Sequence, residues 1–217
     1  MQVLSNNKLA ETLRSGIALL DLEVSRDVQT KLLDYLMLLV KWNKVYNLTA
    51  IRDPQQMVVH HLLDSLAVMP YLIKGHWLDV GCGAGLPGLV LAIAQPDWHF
   101  TLLDSNSKKT SFVQQAVIEL GLSNVQVRCA RVEVFQAADK YDGIISRAFT
   151  ELGDFLRITR HLIAVHGQWV AMKGLPEQEL AGVPNDCLVE KIITLSVPGL
   201  DAARSLVIVS PREEAAA

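Results

Sequence analysis

One stretch limits the possible folds of this 217-residue chain more than any other, namely Trp77-Leu-Asp-Val-Gly-Cys-Gly-Ala-Gly-Leu-Pro-Gly88. Its first four residues predict a short buried strand that runs directly into closely spaced glycines. Gly81, Gly83 and Gly85 can adopt backbone angles that other residues avoid, so the chain can turn sharply beneath a ligand. Pro87 suits the first turn of a helix. A strand, a glycine turn and a helix in this order are typical of α/β proteins that hold an adenosine-containing cofactor.

Two cofactors are compatible with this stretch. Gly83-Ala-Gly-Leu-Pro-Gly88 matches the dinucleotide fingerprint G-x-G-x-x-G, and Asp104 follows at the distance that this fingerprint expects. Asp79 instead precedes a G-x-G-x-G run, which is the signature of S-adenosylmethionine (S-adenosyl-L-methionine) methyltransferases. A carboxylate at the end of the strand repels a pyrophosphate and attracts the ammonium of a methionine moiety. Asp79 therefore favours S-adenosylmethionine, with a nicotinamide oxidoreductase as the alternative from another class.

Composition indicates one α/β domain with a modest appendage. Hydrophobic residues make up 50% of the chain and charged residues 20%, which is enough for a sizeable core. No apolar run approaches the ~20 residues of a membrane span, and the amino terminus lacks a signal pattern. The three scattered cysteines suit free thiols in a reducing cytoplasm. The net charge of −3 does not by itself indicate a nucleic-acid partner. To bind one, the protein would need a local basic patch.

The chain divides by pattern into two units. Residues 1–75 predict an N-terminal helical extension, and residues 76–217 predict a cofactor-binding domain of alternating strands and helices. Alternation predicts a mainly parallel sheet with right-handed crossovers. A helix is expected over residues 151–165. Strands over residues 189–197 and 205–210 predict an antiparallel hairpin at one edge of the sheet.

Candidate ligand residues follow the ends of successive predicted strands, where α/β proteins bind ligands. Asp104 is placed to reach ribose hydroxyls, with a helix cap as the alternative. Backbone groups near Val132 and Glu133 are placed to contact adenine, with a solvated helix start as the alternative. Arg147 is expected to hold a cofactor carboxylate or a phosphate, with a surface ion pair as the alternative. The same two interpretations apply to Lys173.

Metal and hydrolase chemistry are not supported. His60 and Asp64 lie four residues apart on one predicted helix beside His61, but the sequence offers no third ligand at a compatible spacing. We therefore expect no metal, and histidines that belong to the core or the surface. The chain also lacks a Ser–His–Asp order, an HExxH motif and a nucleotide P-loop.

Several motifs together resemble one bacterial family, the small-subunit ribosomal RNA methyltransferase G family, also called glucose-inhibited division protein B. They are Trp42-Asn-Lys-Val-Tyr-Asn-Leu-Thr49, His61-Leu-Leu-Asp-Ser-Leu66, Asp79-Val-Gly-Cys-Gly-Ala-Gly-Leu-Pro-Gly88, Leu103-Asp-Ser105 and Ile145-Ser-Arg-Ala-Phe149. The resemblance runs from about Trp42 to Gly174. It implies a Rossmann-like class I S-adenosylmethionine methyltransferase fold. The implied reaction is methyl transfer to N7 of one guanosine in 16S rRNA.

By the same resemblance, the implied cofactor contacts are Gly81, Leu86, Val132, Glu133 and Arg147. Together with the residues inferred above, the candidate cofactor set is Asp79, Gly81, Gly83, Gly85, Leu86, Asp104, Val132, Glu133 and Arg147. Guanine N7 carries a lone pair and no proton, so attack on the sulfonium methyl needs no general base. This explains why the sequence shows no convincing acid–base pair. Arg147 is a candidate for positioning, and no residue is assigned as catalytic with certainty.

An RNA partner requires a basic patch, and the sequence offers one candidate set: Lys41, Lys44, Arg52, Arg157, Arg160 and Lys173. Trp42 and Tyr46 lie among the first of these and are able to stack on bases, or else to fill the seam between the helices and the sheet. We expect the partner to be 16S rRNA or the small ribosomal subunit, and the protein to be a monomer. A methyltransferase for a small molecule or a protein and a non-catalytic RNA- or ribosome-binding module are the rivals.

Overall fold

The computed structural model of the protein describes residues 2–212, so Met1 and the last five residues of the predicted second unit lie outside the described residues. The helices within that range are α1 (Gln2–Leu19), α2 (Arg26–Tyr46), α3 (54–66), α4 (Gly88–Ala94), α5 (Ser107–Glu119) and α6 (Leu152–Thr159). The strands are β1 (His76–Val80), β2 (His99–Asp104), β3 (Val125–Cys129), β4 (Tyr141–Arg147), β5 (Ile163–Lys173), β6 (Cys187–Thr194) and β7 (Ser205–Pro211). None of these helices is long and apolar enough to cross a membrane.

The strands form a seven-stranded sheet in the order β3-β2-β1-β4-β5-β7-β6. Strands β1 to β5 run parallel, and β7 pairs antiparallel with both β5 and β6. The expected α/β fold with a mainly parallel sheet and an antiparallel edge hairpin is therefore confirmed. The hairpin has a feature that the sequence did not show, since its second strand lies between its first strand and the parallel sheet.

The N-terminal helices begin at polar caps that local sequence predicts. Ser25 accepts a hydrogen bond from the backbone N–H of Val28 at the start of α2, and Asp53 accepts one from Gln55 at the start of α3. Pro54 occupies the first turn of α3, where its missing N–H costs nothing. The caps fix where these two helices begin, and therefore which of their faces is turned toward the sheet.

Helix α3 is not a regular α-helix. An α-turn over Pro54–Met57 continues into a π-helical stretch over Val58–Leu63 and ends in a second α-turn over Asp64–Leu66. Such π-helical insertions are rare, and they are frequent at functional sites. This stretch turns the backbone carbonyl of His60 and the carboxylate of Asp64 toward the end of β4.

The prediction of a helix over residues 151–165 is wrong for the second half of that range. Helix α6 ends at Thr159, and β5 begins at Ile163, so residues that were expected to be helical pair with β4 instead. The backbone N–H of Tyr141 donates to the carbonyl of Leu162 at the start of this pairing. β-Branched residues at 163 and 165 favour the strand once a neighbouring strand is available.

Two apolar layers cover the sheet. One cluster of buried residues joins the N-terminal helices, α4 and α5 to one face, and a second joins α6 to the other face. Because Leu13, Leu36 and Leu62 belong to the same cluster as Trp77, the helices before β1 share a core with the sheet. The division of the chain at residues 75 and 76 stays a prediction.

Candidate cofactor site at the carboxyl edge of the sheet

The glycine turn after β1 is held by backbone hydrogen bonds from two directions. The N–H groups of Gly81 and Cys82 donate to the carbonyl of Leu103 at 2.8 and 3.1 Å, which ties the turn to β2. The N–H groups of Gly85 and Leu86 both donate to the carbonyl of Cys82, at 2.7 and 2.9 Å. Glycines 81, 83 and 85 have φ of 70°, 57° and 88°, so the predicted need for glycine is real.

Asp79 lies beneath this turn and is fully buried. Its Oδ2 accepts a hydrogen bond of 2.8 Å from the N–H of Gly88, the first residue of α4. Its Oδ1 has no hydrogen-bond partner within residues 2–212. Burial raises the pKa of this carboxyl from 3.8 to about 7, against the lowering effect of the Gly88 hydrogen bond. Asp79 therefore supports the start of α4, and its contact with a cofactor ammonium stays a prediction.

A buried tyrosine of α2 also holds the turn, and sequence reasoning missed it. Tyr35 Oη donates a 2.8 Å hydrogen bond to the carbonyl oxygen of Ala84, between the last two glycines of the turn. The Tyr35 side chain is fully buried, so this bond is sheltered from water. No local signal marks a tyrosine that contacts a loop 49 positions away.

A cavity of about 320 Å³ opens beside this turn at the carboxyl ends of β1 to β4. Its lining residues are Val80, Gly81, Leu103, Asp104, Ser105, Lys109, Ala130, Arg131, Val132, Glu133, Ala148 and Phe149. The structure thus brings Gly81, Asp104, Val132 and Glu133 together, as the sequence predicts. The remaining candidates, which are Asp79, Gly83, Gly85, Leu86 and Arg147, build or flank the turn and do not line the cavity.

Asp104 contacts both the turn and the next helix. Its Oδ2 accepts a 2.9 Å hydrogen bond from the N–H of Gly83, and its Oδ1 accepts one of 2.8 Å from Asn106. The cap of α5 is Asn106, whose side chain accepts from the N–H groups of Lys108 and Lys109. The alternative interpretation of Asp104 as the helix cap is therefore wrong. Its carboxylate lies at the cavity wall, and each oxygen retains a lone pair for a further donor.

The adenine candidates lie on a short turn. Val132 begins a 3₁₀ turn over Val132–Val134, in which Val132 is buried and Glu133 is exposed. Both residues line the cavity. Glu133 is solvated at the start of a turn, as the alternative interpretation expected. It also lines the cavity, as a contact with adenine would require.

Three observations indicate that this site can hold S-adenosylmethionine. The cavity volume is within the range of small-molecule sites, which is about 300–1,000 Å³. Asp79 Oδ1 is a buried acceptor without a partner among the described residues, beneath a turn where a cationic group is expected. A Cβ added at Gly81 would lie 2.4 Å from the ring of Phe149, so only glycine leaves room between the turn and the cavity wall.

Arg147 ends β4 in an ion pair with a buried partner. Its Nη1 donates to Asp64 Oδ2 at 3.0 Å and to the carbonyl of His60 at 2.8 Å. The other Asp64 oxygen accepts from Arg204 Nε, also at 3.0 Å. Asp64 is fully buried, whereas the arginine side chains are 21% and 27% exposed. Arg147 Nε and Nη2 have no hydrogen-bond partner within residues 2–212, so Arg147 can still bind a carboxylate.

Sequence reasoning missed Asp64 and Arg204 as parts of this edge. The signal for Asp64 was its place in the motif His61-Leu-Leu-Asp-Ser-Leu66, whereas Arg204 has no motif. Asp64 is part of no cluster of three or more metal-ligating side chains within the described residues. It serves as a shared anion for two arginines.

His61 is a buried residue of the core, as the sequence favoured. Its Nε2 lies 3.0 Å from Thr49 Oγ1. Burial, together with the nearby charge of Arg147, lowers the pKa of this imidazole to about 4. The His61 ring is therefore neutral at physiological pH. It links the loop after α2 to the π-helical stretch that holds Arg147.

The RNA-binding role of the six basic candidates stays a prediction, but the sheet topology places one of them, Arg160, away from the carboxyl edge. Arg160 pairs with Asp186, directly before β6, which places it at the amino edge of the sheet. Arg157 bonds Asp154 and the carbonyl of Gly182. The contact with Asp186 thus places Arg160 away from the cavity at the carboxyl edge.

Lys173 forms an ion pair, which was its alternative interpretation, and a contact of this residue with phosphate stays a prediction. Its Nζ donates to Glu179 Oε2 and to the carbonyl of Thr150, both at 2.6 Å, and its side chain is 12% exposed. The three N-terminal candidates Lys41, Lys44 and Arg52 are exposed. Among these, Arg52 donates to Asn47 Oδ1 at 3.2 Å in the loop between α2 and α3.

Trp42 fills the seam between α2 and α5, as its structural interpretation expected. Its ring lies 5.6 Å from the ring of Phe112 on α5 and 5.2 Å from that of Tyr46. Tyr46 is 44% exposed, which leaves its ring accessible for stacking. Sequence reasoning also missed Lys109, Arg131 and Phe149, which line the cavity. For Phe149 the signal was the motif Ile145–Phe149.

The strand order, the glycine turn and the edge cavity define a Rossmann-like class I S-adenosylmethionine-dependent methyltransferase. The solved structure of N-methyltransferase NodS from Bradyrhizobium japonicum WM9, in complex with S-adenosyl-L-homocysteine, shares this fold with a TM-score of 0.58. The sequences are 12% identical, and the match covers 81% of this chain and 99% of NodS.

A family model, described as rRNA small subunit methyltransferase G, matches residues 28–207. The ribosomal RNA small subunit methyltransferase G of Laribacter hongkongensis is 53% identical over 200 residues, which cover 92% of this chain and 97% of that protein. The protein of the same name from Neisseria meningitidis serogroup B is 53% identical over 205 residues, covering 93% and 98%. The chain therefore belongs to the rRNA small subunit methyltransferase G family, which confirms the resemblance.

Proposed function

We propose that this protein transfers a methyl group from S-adenosylmethionine to N7 of one specific guanosine in the 16S rRNA of the small ribosomal subunit. The observation that carries the proposal is the family match over residues 28–207. Relatives with that ribosomal methyltransferase name are 53% identical over 92% of the chain. The cavity beside the glycine turn supports it, because it offers space and polar groups for the methyl donor.

The residues of the cavity have separate tasks in this proposal. The Asp104 carboxylate would hold the ribose hydroxyls, and the turn at Val132 and Glu133 would border the adenine. Gly81 and Leu86 would lie beside the methionine half. The support is that Gly81, Asp104, Val132 and Glu133 share one cavity, whereas Leu86 flanks it in the turn.

The remaining candidates act around the cavity. Asp79, Gly83 and Gly85 would shape the turn, with the free Oδ1 of Asp79 available to the methionine ammonium. Arg147 would receive the methionine carboxylate through its unpaired nitrogens, because Asp64 fixes its Nη1. Asp64 also offsets part of the positive charge of Arg147, which matters because the methylated guanine becomes a cation.

The chemistry requires alignment more than proton transfer. S-adenosylmethionine supplies an electrophilic methyl group, and the lone pair on guanine N7 attacks its carbon. No proton leaves N7, so the chain needs no general base. Alignment of the two reactants alone contributes up to about 7–11 kcal/mol to lowering a barrier. The rigid turn, tied to β2 and to Tyr35, suits this task.

The substrate surface in this proposal is formed by exposed basic residues of α2 and of the loop between α2 and α3. Lys41, Lys44 and Arg52 are exposed and would contact phosphates, while Tyr46 is accessible to a base. The protein would act as a monomer in the cytoplasm, where ribosomal subunits are assembled. Ribosomal protein near the target would provide further docking, since the net charge of −3 provides little long-range attraction.

The test uses labelled S-adenosylmethionine with 30S subunits and with naked 16S rRNA, both from cells that lack this protein. The modified base is then mapped. Label on N7 of a single guanosine supports the proposal, and the better of the two substrates shows at which stage the enzyme acts. Bound cofactor without any label in rRNA would remove this substrate.

A further inference from the structure

Phe149 is the one aromatic side chain among the cavity-lining residues that the structure describes. It follows β4 directly, at the edge where the reacting groups of a class I methyltransferase meet. Phe149 is 38% exposed, so part of its surface is open to solvent. Its ring thus has one side against the protein and another open to a ligand.

The segment that carries Phe149 is fixed at both ends. Before it, Arg147 is bound to Asp64 and to the carbonyl of His60. After it, the carbonyl of Thr150 accepts a 2.6 Å hydrogen bond from Lys173 Nζ. Lys173, which the sequence assigned to RNA, is therefore an anchor for this segment.

The backbone before Phe149 is strained. Ala148 has φ of 53°, in the left-handed region that residues other than glycine rarely adopt. Such strain persists only where the surroundings impose it, and it is concentrated at functional sites. Here it turns the chain so that the Phe149 ring lies against Gly81, where an added Cβ would meet Cδ2 at 2.4 Å.

We propose that Phe149 is the base-stacking residue of the enzyme, whose ring receives the face of the target guanine beside the cofactor cavity. The inference rests on the proposed function and names the residue that presents the base. Enzymes that modify a base must take it out of its stack, and an extruded base is commonly stacked on an aromatic side chain. Among the described residues that line the cavity, Phe149 is the ring, and it lies in a segment that hydrogen bonds anchor on both sides.

The ring also suits the charge that develops during methyl transfer. The N7 lone pair forms the new bond to the methyl carbon, while the C–S bond breaks and its electron pair stays on sulfur. The sulfur loses its positive charge, and the guanine gains one. The face of an aromatic ring attracts cations, so a stacked Phe149 stabilises the methylated base as it forms. A lysine or arginine at this position would oppose the reaction.

The experiment compares Phe149→Tyr and Phe149→Leu in 30S methylation assays at saturating S-adenosylmethionine. The matched control is Tyr71→Leu, because Tyr71 is 39% exposed and lies before β1, outside the cavity. Calorimetry with S-adenosylhomocysteine measures the cofactor site of each variant. Phe149→Leu is expected to lower kcat/KM for subunits by about 5- to 150-fold, the range for one lost base stack. Phe149→Tyr keeps a ring that can stack and should retain more activity than Phe149→Leu, and Tyr71→Leu should stay close to the wild type.

Three results would overturn the inference. The first is a Phe149→Leu enzyme with normal kcat/KM for subunits whose only defect is a higher Kd for S-adenosylhomocysteine, since Phe149 would then only cover the cofactor. The second is an equal loss in Tyr71→Leu. The third concerns pentafluorophenylalanine at position 149, which keeps the ring shape but reverses the charge of its face. That enzyme should have a lower kcat. A kcat equal to that of the wild type would overturn the claim that the Phe149 ring stabilises the cationic methylated base.

The failure of this inference differs from failure of the proposed function. The wild-type enzyme is assayed first, and the labelled base is mapped. If N7 of a single guanosine carries the label while Phe149→Leu methylates normally, only the role of Phe149 is wrong. If the wild-type enzyme labels no guanosine in the subunit, the substrate itself is wrong.

Discussion

The hydroxyl of Tyr35 and the carbonyl oxygen of Ala84 are joined by a buried 2.8 Å hydrogen bond, which ties α2 to the cofactor turn. Ala84 is buried and lies between glycines with φ of 57° and 88°, a backbone conformation that other residues rarely adopt. The N-terminal helices thus support the glycine turn at the candidate cofactor site. They do more than extend the surface available to RNA.

Tyr35→Phe tests this connection. The variant keeps the ring but leaves the buried Ala84 carbonyl without a donor, which is expected to lower the free energy of unfolding by about 1–3 kcal/mol. Urea unfolding measures this loss, and calorimetry should show a higher Kd for S-adenosylhomocysteine. Tyr46→Phe on the same helix is the control, because Tyr46 is 44% exposed. Equal cofactor affinity in the two variants would show that the turn does not depend on Tyr35.

Gly81→Ala and Gly121→Ala form a matched pair. Both glycines have positive φ, 70° and 62°, so alanine adds similar backbone strain of about 1–2 kcal/mol at each position. At Gly121 a Cβ meets nothing within 4 Å, whereas at Gly81 it meets the Phe149 ring at 2.4 Å. Both variants should lose similar stability from strain. Only Gly81→Ala should lose methyl transfer in the 30S assay. Loss of activity in both would mean that strain alone is responsible.

Much of the fold could be predicted from local patterns. The glycine turn, the caps Ser25 and Asp53 and the alternation of strands and helices each depend on residues close together in sequence. The failure at residues 160–165 has a physical cause, because Ile163-Ala-Val suits either a helix or a strand. Pairing of Ile163 with Tyr141 decides between them, and this partner is distant in sequence.

The site was predictable where it follows strand ends and unpredictable where it depends on distant partners. Asp104, Val132 and Glu133 line the cavity because parallel strands end at one edge. Asp64 and Arg204, in contrast, are 140 positions apart, and no spacing rule connects them. The position of Arg160 was unpredictable for the same reason, since charge counting cannot show that this residue has Asp186 as a partner at the other edge.

Arg147→Ala and Arg204→Ala separate cofactor binding from the ion pair. Each variant removes one arginine from Asp64, so both should lose similar stability. Arg147 alone ends β4 beside the cavity, and a charge-assisted hydrogen bond contributes about 1.5–3 kcal/mol. The Kd for S-adenosylhomocysteine should therefore rise about 10- to 100-fold in Arg147→Ala. If this variant kept both cofactor affinity and rRNA methylation, Arg147 would not contact the cofactor.

The pH dependence of stability should reveal the raised pKa of the Asp79 carboxyl. Burial raises its pKa to about 7, so the folded protein keeps a proton that the unfolded chain releases above about pH 4. The free energy of unfolding of the wild type relative to Asp79→Asn should therefore fall as pH rises from about 4 to about 7, by at most about 1.4 kcal/mol per pH unit. Above this window the difference should be constant.

Urea unfolding of the cofactor-free protein across this window measures the effect of Asp79. His61 gives the wild type and the variant the same opposite slope, because its lowered pKa stabilises the fold as pH rises above about 4. The side-chain amide oxygen that Asp79→Asn introduces can still accept from the N–H of Gly88, so α4 should keep its first turn. Asp97→Asn controls for the loss of a negative charge at an exposed position. Parallel pH profiles for wild type and Asp79→Asn would contradict the buried, protonated carboxyl.

The salt dependence of methylation should identify the RNA-contacting surface. Lys44→Glu and Arg52→Glu are expected to raise the KM for 30S subunits, and each lost phosphate contact should reduce the slope of log KM against log salt by about one. The Kd for S-adenosylhomocysteine should not change, because neither side chain lines the cavity.

Arg160→Glu is the control with the same charge change at the amino edge of the sheet, where Asp186 already holds the guanidinium. An equal change in slope for Arg160→Glu would mean that general charge, and not the surface near α2 and α3, attracts the RNA. Loss of cofactor affinity in Lys44→Glu would indicate misfolding.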